Sequence, residues 1–129
     1  MLAPMRGLEI QTTKEGVTLD DILQLCKKEA RKSTWRCRHL DLEGASMQAL
    51  EHAAEEELDI SGADFLELVS DIDHVVEGDF EARRSGANKP WLVVRAIDGE
   101  AFEIYSSDQD MLAHVEATFR DVRPTGFSD

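Results

Sequence analysis

Residues 89–105 read KPWLVVRAIDGEAFEIY, two runs of strand-forming residues joined through Asp98-Gly99. The way this hairpin sorts its side chains decides which face of the sheet becomes core. Two turn geometries are open to it. A two-residue turn on Asp98-Gly99 pairs Ile97 with Glu100 and sets Phe102 and Ile104 on the face of Trp91, Val93 and Arg95. A three-residue loop of Ile97, Asp98 and Gly99, with the glycine left-handed, pairs Ala96 with Glu100 and moves Phe102 and Ile104 beside Leu92 and Val94. The second geometry collects the apolar residues, so it is preferred. It sets Trp91 opposite Tyr105 and Val93 opposite Glu103, with Arg95 one step away.

Upstream, Val76, Phe80 and Ala82 alternate with Glu77, Asp79, Glu81 and Arg83, the period of a half-exposed strand. Its short connection to the hairpin makes the three strands an antiparallel meander. Glu77, Asp79 and Glu81 then join Arg95, Glu103, Trp91 and Tyr105 on one side. Downstream, Ser107 and Asp110 read as a capping box, followed by a helical stripe of Met111, Leu112, Val115, Phe119 and Val122.

Thr18 with Asp21 forms a similar box, with Val17 stapling onto Ile22 and Leu19, Ile22, Leu23 and Cys26 as the buried stripe. Lys27, Lys28, Arg31 and Lys32 crowd the end of that helix, where its dipole favours cations. Residues 34–42, TWRCRHLDL, alternate and then slip phase, as an edge strand with a bulge would. Ser46 and Ser61 cap two more helices, the latter with Asp64 and the stripe Phe65, Leu66, Val69 and Ile72. Residues 1–16 read as a loose arm with room for one short strand at Leu8 to Gln11. The expectation is a single α+β domain over 1–129, ordered α-β-α-α-β-β-β-α. Its sheet is antiparallel with three to four strands, and its helices lie mainly on one face.

The chain carries 14 basic and 27 acidic residues, a formal net charge of -13, so its field repels phosphate backbones and anionic headgroups. Nucleic acid and membrane are therefore excluded as expected partners, and no run approaches the roughly 20 apolar residues of a spanning helix. With no secretory h-region at the start, the expected location is cytoplasmic. Cys26 and Cys37 read as two reduced thiols in apolar surroundings.

No phosphate loop, dinucleotide fingerprint, zinc-protease motif or nucleophile elbow is present, and no cofactor is expected. Asp71, Asp73, His74, Glu77 and Asp79 resemble cation ligands in type. Val75 and Val76 stand where a calcium loop needs oxygen and glycine, so no metal is assigned. The four histidines are dispersed, and catalysis is the weaker expectation.

What remains is an interaction surface. Trp91, Tyr105 and Arg95 are residue types favoured at binding hot spots, and Glu103, Glu77, Asp79 and Glu81 surround them. From Asp41 to Glu81 no Lys or Arg interrupts fourteen acids, whereas basic residues gather from Lys27 to Arg38. The first reading is a non-enzymatic module for a basic protein partner, with a neutralising inhibitor of the immunity-protein kind as one concrete form. The second is a small-molecule binder or small enzyme with a pocket between sheet and helices. A homodimer through the open sheet face is a third.

Overall fold

The hairpin lies at the centre of a larger sheet than its sequence neighbourhood suggests. The computed structural model describes residues 5–12, 16–44 and 47–125. In chain order the elements are β1 (Arg6–Gln11), α1 (Leu19–Gln24), α2 (Lys27–Lys32), β2 (Thr34–Gly44), α3 (Met47–Glu55) and β3 (Ile60–Ser61). They continue with α4 (Gly62–Ser70), β4 (Ile72–Arg83), β5 (Leu92–Ile97), β6 (Ala101–Ser106), α5 (Gln109–Thr118) and β7 (Val122–Thr125). Among the described residues, seven strands form one antiparallel sheet in the order β3-β2-β4-β5-β6-β1-β7.

The expected three- to four-stranded sheet is thus too small, and the order α-β-α-α-β-β-β-α lacks three strands. The segment read as a loose arm contributes β1, which lies between β6 and β7 with Leu8 and Ile10 buried. Val122, expected on the last helical stripe, belongs to β7, because α5 stops at Thr118 with Phe119 in extended conformation. The proline in β7 is tolerated because that strand is an edge. The first predicted helix is two short ones, broken at Leu25 and Cys26.

Local signals hold where they rest on a few neighbouring residues. Thr18 and Asp21 form the reciprocal capping box, and the Ser61 hydroxyl accepts from the Asp64 amide at 3.3 Å. The cap of α5 is Asp108, one residue beyond the expected Ser107. Ser46 lies outside the described residues. In β2 the register against β4 shifts between Arg38 and Asp41, and His39 adopts a φ of 55°, which is the bulge that the slipped alternation implies.

The hairpin keeps the expected faces with different partners. Asp98 and Gly99 both have positive φ, and the loop is Asp98 to Glu100, closed by Ile97 opposite Ala101. Val93 therefore faces Tyr105 and Arg95 faces Glu103, whereas the expected loop set Trp91 against Tyr105 and Val93 against Glu103. A shift of two leaves every side chain on its face. The neighbouring strands grip the tip: Asp98 N–H donates to the Glu77 carboxylate at 3.1 Å, Gly99 N–H to Val76 C=O at 2.9 Å, and Thr12 N–H to Glu100 C=O at 2.8 Å.

All five helices contribute to one core with the inward side chains of the sheet, among them Leu92, Val94, Phe102 and Ile104. At its centre Trp35 stacks on Phe65 with ring centroids 4.3 Å apart, and Phe80 meets Phe65 at 5.9 Å. One side of the last turn of α2, at Ala30 and the capping Ser33, is buried in this region while Arg31 and Lys32 are exposed, and the carbonyls on the buried side need donors. Trp35 Nε1 donates to Ala30 C=O at 3.0 Å. Ser33 Oγ donates to Glu29 C=O at 2.8 Å and accepts from Trp91 Nε1 at 2.8 Å. Gly62 presses on the same turn: a Cβ there would lie 2.2 Å from Ala30 C=O, which only glycine avoids.

Removing the Ser33 hydroxyl strands a buried indole N–H and a helix carbonyl. Ser33→Ala should therefore cost about 1–3 kcal/mol in urea unfolding. Trp91→Phe should cost less in the Ser33→Ala background than in the native chain. Additive losses would show that the two groups are not coupled.

Candidate functional site

Among the described residues, helices cover one face of the sheet and leave the other to its own side chains. Two rows cross that open face. One runs Arg38, Asp79, Arg95, Glu103, Glu9, Arg123, and the next Arg36, Glu81, Val93, Tyr105, Gly7, Thr125. Arg95, Glu103, Asp79, Glu81 and Tyr105 are thus brought together as the alternation implied, with Glu77 at the end of the face near the hairpin tip.

Trp91 departs from them. It sits just before β5, is 3% exposed and belongs to the core under the helices, drawn there by its bond to Ser33. The Arg84 guanidinium covers its ring at 4.7 Å. The expected Trp91–Tyr105 aromatic platform is therefore absent, because the indole N–H finds a partner at the end of α2 instead.

Tyr105 remains on the open face and is nevertheless covered, with 0% exposure. Its ring lies over Gly7, where an added Cβ would come within 2.6 Å of Cε1, and the Arg95 guanidinium lies 5.7 Å from the ring centroid. Its hydroxyl bonds to Glu103 and Thr125. Burial first, then the charge and hydrogen bond of Glu103, push its pKa above the ordinary 10.0, while Arg95 and Thr125 pull the other way. Gly7 and Thr125 escape a reading of local sequence, since both meet Tyr105 through long-range pairing.

The charges on this face are largely paired. Arg38 bonds Glu81 at 2.7 Å, Arg83 reaches the same carboxylate at 3.1 Å, Arg95 lies 3.6 Å from Asp79, and Arg36 bonds Asp59 at 2.8 Å. Each such half-exposed pair contributes roughly 0–1 kcal/mol. Elsewhere the balance fails. Glu55, Glu56 and Glu57, at and beyond the end of α3, are exposed, and with Glu51, Asp64 and Glu67 they have no ion pair among the described residues.

The Cys26 thiol is pushed up to about 12 by burial, then by the charges of Asp108 and Glu29. The Cys37 thiol is pushed up to about 12 by burial. Neither is a ready nucleophile near neutral pH. Among the described residues no three His, Cys, Asp or Glu side chains converge as metal ligands. A cavity between α1 and the hairpin tip, bordered by Thr12, Asp20, His74 and Phe102, has a volume of about 30 Å³, room for a water or two. Among the described residues no helix is long and apolar enough to cross a membrane.

Comparison with protein families, with curated proteins and with solved structures found no significant match.

Tyr105 is the chain's one tyrosine, so its ionisation can be followed by ultraviolet absorbance without overlap from another phenol. In the folded protein the midpoint should lie above 10.0, and Glu103→Gln should lower it. Because the folded state holds this proton longer than the unfolded one, the associated stability is present below pH 10 and is lost as pH rises through the folded midpoint. A native midpoint at or below 10.0 would contradict the buried, Glu103-bonded hydroxyl.

Proposed function

We propose that this chain is a non-enzymatic interaction module that binds a protein partner of basic character, a neutralising inhibitor being one concrete form. The supporting observation is the division of charge. On the open sheet face Asp79 and Glu81 are held by arginines of the same face, whereas Glu51 and Glu55–Glu57 carry negative charge that nothing in the described chain neutralises. Uncompensated charge of one sign speeds encounter with an oppositely charged partner and deters like-charged ones. The high thiol pKa values give the enzyme reading less support.

The open face favours a second reading, a homodimer. The stretch Arg38, Asp79, Arg95, Glu103 of its first row alternates in sign, and Arg95, Glu103, Asp79 and Glu81 can meet their opposites on a second copy, with Glu77 at the border. Light scattering at low and high ionic strength separates the two, since only this reading yields a salt-sensitive dimer of the isolated chain.

Retention of proteins from a native lysate, followed by reconstitution with the purified protein retained, tests the leading proposal. The retained protein should be basic. Its affinity should fall by roughly tenfold or more as ionic strength rises from about 0.01 to about 0.15 M, over which the Debye length shrinks from about 30 to about 8 Å. A salt-independent or acidic partner would overturn the proposal.

A further inference from the structure

A groove runs between the C-terminal half of α3 and the bulged edge of β2. Its volume is about 480 Å³, and Leu40 and Ala54, both half-buried, form an apolar floor. Glu51, Glu55 and Glu57 stand on one side, and Arg38 and His39 on the other. Both are already engaged across the sheet: Arg38 bonds Glu81, and His39 Nδ1 lies 3.6 Å from Asp79. The glutamates have no such partner among the described residues, so the groove presents net negative charge over an apolar base.

The fold holds this arrangement against local preference. Glu51 and Glu55 are one helical turn apart, a like-charge spacing that weakens a helix slightly. The chain then leaves α3 through Glu57 at a φ of 53°, with Leu58 N–H donating to Ala53 C=O at 2.9 Å, an exit where glycine is the usual residue. Leu58, the large hydrophobic residue exposed among those described, follows at 47% exposure. On the far side, β3 pairs with β2 only at Thr34 and Trp35, so among the described residues the edge of β2 beyond them has no strand partner.

Resting on the reading of the chain as a module for a basic partner, we infer that this groove is where the partner docks. The occupant is a lysine- or arginine-rich amphipathic segment. Its cations face Glu51, Glu55 and Glu57, and an apolar side chain lies on Leu40 and Ala54. A purely cationic strand would use the rim alone, and an uncharged apolar segment would use only the floor.

Fluorescence anisotropy with two labelled peptides of equal length and charge, one of lysine and leucine and one of lysine and serine, tests this with the full chain. The leucine peptide should bind more tightly. Glu51→Gln with Glu55→Gln should weaken it by roughly fivefold or more. Glu100→Gln with Glu116→Gln, which removes the same charge from exposed sites outside the groove, should weaken it by less than about twofold. Thermal unfolding of the groove variant should occur at the native temperature or slightly above, since a repulsion has been removed. Equal losses in the two double variants, or equal affinity for the two peptides, would overturn the groove while leaving a diffuse electrostatic module standing. Failure of both peptides to bind at low ionic strength would overturn the groove and the reading beneath it.

Discussion

The last turn of α2, buried on the side of Ala30 and Ser33, is the constraint around which the rest is arranged. A helix end set against a core leaves carbonyls without partners, and in low-dielectric surroundings each unpaired group costs about 1–3 kcal/mol. Here Ala30 C=O accepts from the Ser33 amide and the Trp35 indole, and Glu29 C=O accepts from the Ser33 hydroxyl, which in turn accepts from the Trp91 indole. These bonds fix the start of β2 and the start of β5, because Trp35 is the second residue of one strand and Trp91 immediately precedes the other. The same turn accepts α4 at backbone contact through Gly62, which brings Phe65 onto Trp35. One polar requirement thus sets the relation between a helix pair and two sheet strands.

The sequence was legible where a pattern closes on itself within a few residues. Period-two alternation placed Phe102 and Ile104 with Leu92 and Val94, and Arg95, Glu103, Asp79 and Glu81 opposite them, because side-chain direction in a strand depends only on parity. The Thr18 and Ser61 caps, and a phase slip within residues 34–42, were readable for the same reason. Hidden features depend on distant partners. β1 has an alternating pattern, yet its place between β6 and β7 is decided by residues such as Ser106 and Thr125. The hairpin register was set by Glu77, Val76 and Thr12 outside the hairpin. Trp91 left the face that parity assigned because of a single hydrogen bond, and Tyr105 is buried because a glycine across the sheet leaves room for its ring.

The open face shows how a sheet can leave one side uncovered with little exposed apolar area. Val93 and Tyr105 are buried by neighbouring side chains, and Ile97 at the end of β5 is half-buried. The long arms of Arg36, Arg38 and Arg95 bury their stems while their heads meet carboxylates. That pairing removes much of the acidity that composition alone would assign to the sheet. The negative charge of the chain is then expressed where arginines are missing, along α3 and the turn that follows it. The acid-rich stretch from Asp41 to Glu81 is plain in the sequence, but which of its carboxylates stay unpaired depends on which cations lie across a strand pair.

The position of β1 bears on how the molecule assembles. Arg6 pairs with Ser106 and Gly7 with Thr125, so this strand completes the sheet only after the loop spanning nearly all the other elements has been closed. Closing so long a loop carries an entropic cost before any contact rewards it, and chains rich in such pairings reach the native state slowly. The meander of β4, β5 and β6 joins neighbours in sequence and can form early, leaving the β6 edge a transient template until β1 docks. On a nascent chain the earliest strand would wait longest for its place, its Leu8 and Ile10 exposed in the meantime to chaperones or to other unfinished copies.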